Sequence, residues 1–215
     1  MLSHRHLRAV ALAIASAALA LPAGAQAASS CSYDLANATL QAQMLSPRVV
    51  IANAGDGRIV VDGRVCASPS DGAVVATVAT TDQVVVASAF PPAADLVVVD
   101  ESHGRLADRR TGHRPKVFAL TGTGGDTMEV IGSPGRDRYV AHDDLGASID
   151  LGGDATPDFV STDVGRVVMF GGPGDDFLSA GAGSHDRMSH PVALYGGPGK
   201  DVLRGGRSGE DRLRP

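Results

Sequence analysis

The chain has no tryptophan, and aromatic residues make up only 4% of its 215 positions. A core without large rings must be built mostly from Val, Ile, Leu and Ala. Basic residues are also short: 19 Lys and Arg stand against 24 Asp and Glu, for a formal charge of -5. That balance excludes a strongly basic nucleic-acid binder. Two cysteines are too few for a structural zinc site of the usual four-ligand kind. There is no heptad, no collagen-like period of three, and no amphipathic helical stretch past the N-terminus.

Catalytic signatures are missing as well. Outside the first 27 residues the histidines are His103, His113, His142, His185 and His190, and none lies in H-E-x-x-H. Gly206-Arg-Ser208-Gly is one residue away from a G-x-S-x-G elbow. Gly199-Lys200-Asp201 lacks both the Ser/Thr and the upstream Gly of a phosphate-binding loop. Acidic residues are plentiful, but no pair stands out as a hydrolase site. The expectation is a protein that is not an enzyme.

The N-terminus reads as a processing segment. Arg5 and Arg8 precede an apolar run from Ala9 to Leu21, followed by Pro22-Ala-Gly-Ala25-Gln-Ala27 with small residues at cleavage spacing. The run is too short for a comfortable membrane span. Residues 1–27 are therefore expected to be a signal peptide and the mature chain to be secreted, with no membrane span. An exported chain meets an oxidising compartment, where Cys31 and Cys66 are expected to form a disulfide. Two free buried thiols are the alternative.

From residue 28 to about 120 the chain carries short β-branched runs: Val49–Ile51, Ile59–Val61, Val74–Val78, Val84–Val86, Leu96–Val99 and Val117–Leu120. Gly, Asp, Pro and Ser separate them, which predicts an all-β protein. The Arg-rich segment Ser102–Lys116 reads as a loop or linker. Glycine is placed unevenly, with 20 of 27 in residues 121–215, too many for a helical bundle when each interior Gly costs roughly 1 kcal/mol.

Those glycines fall into a repeat. Gly171-Gly172-Pro-Gly174-Asp-Asp176-Phe-Leu178 and Gly196-Gly197-Pro-Gly199-Lys-Asp201-Val-Leu203 fit G-G-x-G-x-D-x-U-x, where U is a large apolar residue. The copy ending at Asp211 carries one inserted residue; the copy at Asp137 lacks the second Gly; the copy at Gly122 and Asp126 lacks the first. The copies at Asp158 and Asp186 are degenerate. The segment from Asp150 to Asp158 also places oxygens at alternate positions, like a partial EF-type loop.

The repeat resembles the nonapeptide of secreted bacterial calcium-binding proteins with hemolysin-type (RTX) repeats. Cys31-Ser-Tyr33-Asp34, Gly63-Arg-Val-Cys66 and Thr81-Asp82-Gln-Val84 are similar to short motifs in the front part of actinobacterial members. The resemblance implies a right-handed parallel β-roll or β-solenoid over 121–215, with calcium held by Gly122, Asp126, Asp137, Asp158, Gly171, Gly172, Gly174, Asp176, Gly196, Gly197, Gly199, Asp201 and Asp211. The chemistry is consistent. Tightly curled glycine turns offer carbonyls, the sixth-position Asp adds a carboxylate, and calcium accepts six to eight oxygens. Asp158 and Asp176, two nonapeptides apart, are expected on one face. Two departures from the family stand out: an N-terminal signal instead of a C-terminal one, and a chain that stops directly after a repeat, as a truncated one would.

Three roles remain open. The favoured one is an exported calcium-binding module with structural or surface-interaction duties. The others are the calcium-stabilised part of an extracellular hydrolase, or a domain binding a cell-surface or extracellular protein or glycan. The front half is expected to continue the solenoid; a separate β-sandwich joined at Ser102–Lys116 is the competing arrangement.

Overall fold

Alternating apolar and polar residues set the strands. In Thr39–Met44 the side chains of Leu40, Ala42 and Met44 are buried, and in Asp126–Ile131 those of Asp126, Met128 and Val130. The structure, a computed structural model, describes residues 29–88, 94–123, 125–143, 146–181 and 188–215. The expected signal peptide and the copy around Asp186 lie outside the described residues. Every described element is a strand, so the protein is all-β, with two mixed sheets and no closed barrel.

In chain order, β1 (Ser30–Asp34) and β2 (Thr39–Met44) belong to the first sheet. The second sheet receives β3 (Arg48–Asn53), β4 (Ile59–Val61) and β5 (Arg64–Val65). The chain then alternates: β6 (Gln83–Ser88) in the first sheet, β7 (Leu96–Asp100) in the second, β8 (Lys116–Leu120) in the first, β9 (Asp126–Ile131) in the second. A meander of β10 (Arg138–His142), β11 (Ala147–Asp150) and β12 (Phe159–Ser161) stays in the first sheet. Alternation resumes with β13 (Val164–Phe170), β14 (Phe177–Ser179), β15 (Val192–Tyr195), β16 (Val202–Arg204) and β17 (Arg212–Arg214), odd-numbered strands lying in the second sheet.

The second sheet is parallel from β3 through β7, β9, β13 and β15 to β17. Its inward rows run in register: Ile51, Val99, Val130, Met169 and Leu194, each fully buried, end at Leu213. The first sheet aligns Leu40, Val84, Val117 and Phe159 the same way. Each such side chain is stabilising by about 1.5–3 kcal/mol when removed from water, which is how a core forms without tryptophan. One apolar cluster spans residues on both sides of position 120.

Antiparallel pairs occur where the sequence reading expected none. Asp62 and Gly63, with φ of 48° and 76°, turn β4 into β5, a primed hairpin turn. β1 pairs antiparallel with β2. The Cys31–Cys66 disulfide is formed, with Cα atoms 5.4 Å apart, and ties the outermost strand of the first sheet to the segment after β5. The Val74–Val78 run contributes only isolated bridges at Val75 and Thr77. Residues 101–115 form a loop, but not a free linker: Glu101 and Leu106 are fully buried in it.

Candidate functional site

Three Gly-Asp segments stand at the same crossing, from the second sheet to the first. Residues 132–137 join β9 to β10, 171–176 join β13 to β14, and 196–201 join β15 to β16. Backbone bonds stack them: the Gly132 N–H donates to the Phe170 carbonyl, Gly171 to Tyr195, and Gly196 to Arg214, each at 2.8 Å. Gly174 donates to the Pro198 carbonyl at 3.0 Å. The outer faces beside the turns also stack, with the Phe170 and Tyr195 rings 4.7 Å apart and the Arg138 and Arg204 guanidinium groups over Phe177.

Glycine is needed here for two reasons. Gly172 and Gly197 hold φ of 88° and 99°, where a Cβ is disfavoured. At the fourth position the reason is close approach. A Cβ on Gly174 would stand 2.5 Å from the Gly135 carbonyl oxygen, and one on Gly199 would overlap the Gly174 carbonyl. At the first position, a Cβ on Gly171 or Gly196 would run into the carboxylate of Asp176 or Asp201.

The sixth-position carboxylates make a ladder. The Asp137 N–H donates to Asp176 Oδ1 at 2.7 Å, and the Asp176 N–H donates to Asp201 Oδ1 at 3.0 Å. Asp175 and Lys200, one position earlier, are exposed. The second oxygens differ from the first: Asp176 Oδ2 and Asp201 Oδ2 are buried with no hydrogen-bond partner among the described residues. Burial, reinforced by the negative charges of Asp137, Asp201 and Asp175, pushes the Asp176 carboxyl above its ordinary range, against the lowering effect of the Asp137 N–H.

The other described sixth-position residues sit elsewhere, each with both oxygens supplied. Asp126 lies at the opposite crossing, from the first sheet to the second, with Gly122 exposed beside it. Its oxygens accept from the Asp95 N–H at 2.9 Å and from the Thr121 hydroxyl. Asp211 is at that crossing too and accepts from the Val192 and Gly206 N–H groups at 3.2 and 2.7 Å. Asp158 does not stack on Asp176. The meander inserts β11 and β12 between β8 and β10, which places Asp158 beside β8. There Lys116 Nζ is 2.9 Å away and Arg114 Nε 3.7 Å. Asp150 accepts from the N–H groups of Gly152, Gly153 and Ala155 and so folds its own loop.

The loop 101–115 carries groups that the sequence reading did not single out. Glu101 accepts from the Leu106 N–H at 2.6 Å, from Tyr139 Oη at 2.9 Å and from Arg114 Nη1 at 2.5 Å. Burial first, then the Glu101 charge, raises the Tyr139 phenol well above its ordinary value. Arg105 Nη2 is 2.8 Å from Asp137 Oδ1, and Ser133 donates to the same carboxylate through its N–H and hydroxyl. The available signal was charge: this is an Arg-rich stretch facing acidic turns in an acidic chain.

Among the described residues no group of three or more His, Cys, Asp or Glu side chains converges as a metal site would. The stacked turns offer something different: two carboxylates in adjacent turns, each with one buried oxygen that has no partner among the described residues. Compared with known proteins, the chain matches no family model, no curated protein and no solved structure.

Proposed function

We propose that the chain is an exported calcium-binding protein whose Gly-Asp turns belong to a right-handed parallel β-roll, serving as a structural or surface-interaction module without catalysis. The observation that carries this reading is the pair of buried, unpartnered carboxylate oxygens, Asp176 Oδ2 and Asp201 Oδ2, in two stacked turns. A buried ionised carboxylate with one oxygen lacking a donor is costly, and two in adjacent coils repel as well. A divalent cation relieves both costs. Calcium suits the donor set because it accepts carboxylate and peptide oxygens together, in a forgiving geometry. Asp176 and Asp201 would be its carboxylate ligands, with carbonyls of residues 171–176 and 196–201 completing the shell. The bound ion would supply the positive charge that holds one coil against the next.

The repeat's resemblance to hemolysin-type sequences supports the same assignment. The Cys31–Cys66 disulfide and the lack of a long apolar helix among the described residues are compatible with a secreted protein. The partners in this reading are calcium and an extracellular protein or glycan surface.

The test is calcium titration of the purified, chelator-stripped protein, followed by calorimetry and circular dichroism. Saturable uptake near the range of extracellular modules, about 10⁻⁴ to 10⁻³ M, is expected, together with a higher melting temperature. Asp176→Asn or Asp201→Asn should weaken uptake by roughly tenfold, close to 1.4 kcal/mol. Asp175→Asn, at the exposed neighbouring position, should leave it nearly unchanged. A melting temperature indifferent to calcium, or equal effects at positions 175 and 176, refutes the reading.

A further inference from the structure

The turn ending at Asp137 stacks on the Asp176 turn, yet its carboxylate lacks nothing. Arg105 Nη2 lies 2.8 Å from Asp137 Oδ1 and donates to the Arg136 carbonyl of the same turn. Ser133, standing where the next two turns have a second Gly, donates its N–H to Asp137 Oδ2 at 2.7 Å and its hydroxyl to both oxygens at 2.9 Å. The Asp137 side chain is 1% exposed, whereas that of Arg105 is 48% exposed and reaches in from the surface. Asn53 fixes the root of this arm, its Nδ2 donating to the Arg105 carbonyl at 2.9 Å.

The contrast within one stack is chemical. At Asp176 and Asp201 Oδ2 is buried and unmatched among the described residues; at Asp137 Ser133 supplies Oδ2, and the Arg105 guanidinium brings a positive charge to Oδ1. Asp158 is treated alike, through Arg114 of the same loop and Lys116 at the start of β8.

We infer that Arg105 is the resident cation of the Asp137 turn: the space between the Asp137 and Asp176 turns is a latent calcium site, closed by a tethered guanidinium and opened when that side chain is removed. The inference rests on the calcium reading of the Asp176 and Asp201 turns. A fixed guanidinium needs no free ion, so the Asp137 turn carries its counter-charge at any calcium level. Calcium is then taken up only from Asp176 onward, on a surface already in place.

The experiment measures calcium stoichiometry by calorimetry on the purified protein and three variants. Arg105→Gln should bind one more calcium than the parent. Its calcium-free melting temperature should fall, and saturating calcium should restore it. Arg105→Lys, which keeps the charge, should keep the parent stoichiometry. Asp137→Asn, made with Arg105 in place, should bind as many ions as the parent; this arm stands even where Arg105→Gln does not fold. Unchanged stoichiometry in a folded Arg105→Gln protein, or loss of one equivalent in Asp137→Asn, overturns the inference and leaves the calcium reading intact. A parent protein that takes up no calcium overturns both.

Discussion

Buried carboxylates in this protein are matched in different ways, and the differences decide how each responds to pH and to ions. Asp137 and Asp158 have Arg105, Lys116 and Arg114. Glu101 is fully buried and has an arginine, a phenol and a peptide N–H. Asp95 is 3% exposed and its Oδ2 has no partner among the described residues. Burial, and to a lesser degree the Asp126 charge, raises the Asp95 carboxyl above its ordinary range, while a bond from Ser88 opposes the rise. The folded chain therefore holds a proton that the unfolded chain has already released. Stability from this group is complete below the unfolded value, about 3.9, and is lost as pH climbs through the raised folded value. An amide cannot ionise. Asp95→Asn should thus remove that part of the pH slope and exceed the parent's stability above the window by about 1 kcal/mol, or roughly 2 to 4 °C. Thermal melts between pH 4 and 8 in calcium-free buffer measure it, and an identical slope in both proteins would clear Asp95 of the effect.

Strands and turns show which local signals the sequence carried openly. The register of the two complete repeats was readable, because a glycine turn followed by one exposed and one buried residue leaves little freedom: Asp175 and Lys200 face solvent, while Asp176 is buried. The Asp62-Gly63 hairpin is signalled too, as an Asp-Gly pair directly after the β-branched run Ile59–Val61. Asp158 was not readable. Spacing of two nonapeptides put it over Asp176, but Asp176 lies 39 residues from the Asp137 it bonds and 25 from Asp201. The meander and the longer connections break a repeat count that assumes equal coils. Ser102–Lys116 is a loop up to the start of β8, as its polar composition predicts, but composition does not reveal the two buried anchors that tie it down, Glu101 just before it and Leu106 within it. The disulfide was expected and is formed. It closes a separation of 35 residues at the end of the sheets opposite β16 and β17, and the chain-entropy model values such a link at about 3 to 4 kcal/mol. Replacing both Cys31 and Cys66 by Ser should therefore lower the melting temperature yet leave the calcium midpoint unchanged, since the Asp176 and Asp201 turns lie far along both sheets. A shifted calcium midpoint in that variant would show that the two ends are coupled.

Composition divides the chain near position 120, but the fold does not. β6 pairs with β8 and β7 with β9 across the 101–115 loop, all in parallel. Val84 and Val117 face inward in one sheet, and Val97 and Met128 in the other, so each side of the loop covers an apolar row of the other. Strands stacked this way depend on their neighbours for burial, and a piece ending between them exposes a row on each sheet. The loop itself offers a place to cut: Arg109 and Arg110 are exposed, while Glu101, Leu106 and Arg114 are held inside. Brief trypsin treatment should nick the chain there without releasing two bodies. The nicked protein should elute as one species with its β signal retained, and separate only in denaturant. A fragment covering Ser32–Gly104 alone should fail to give a stable monomer, because β6 and β7 have lost β8 and β9. Halves that part after nicking and each keep native β content would show two independent bodies, with the shared sheets contributing little to holding the chain together.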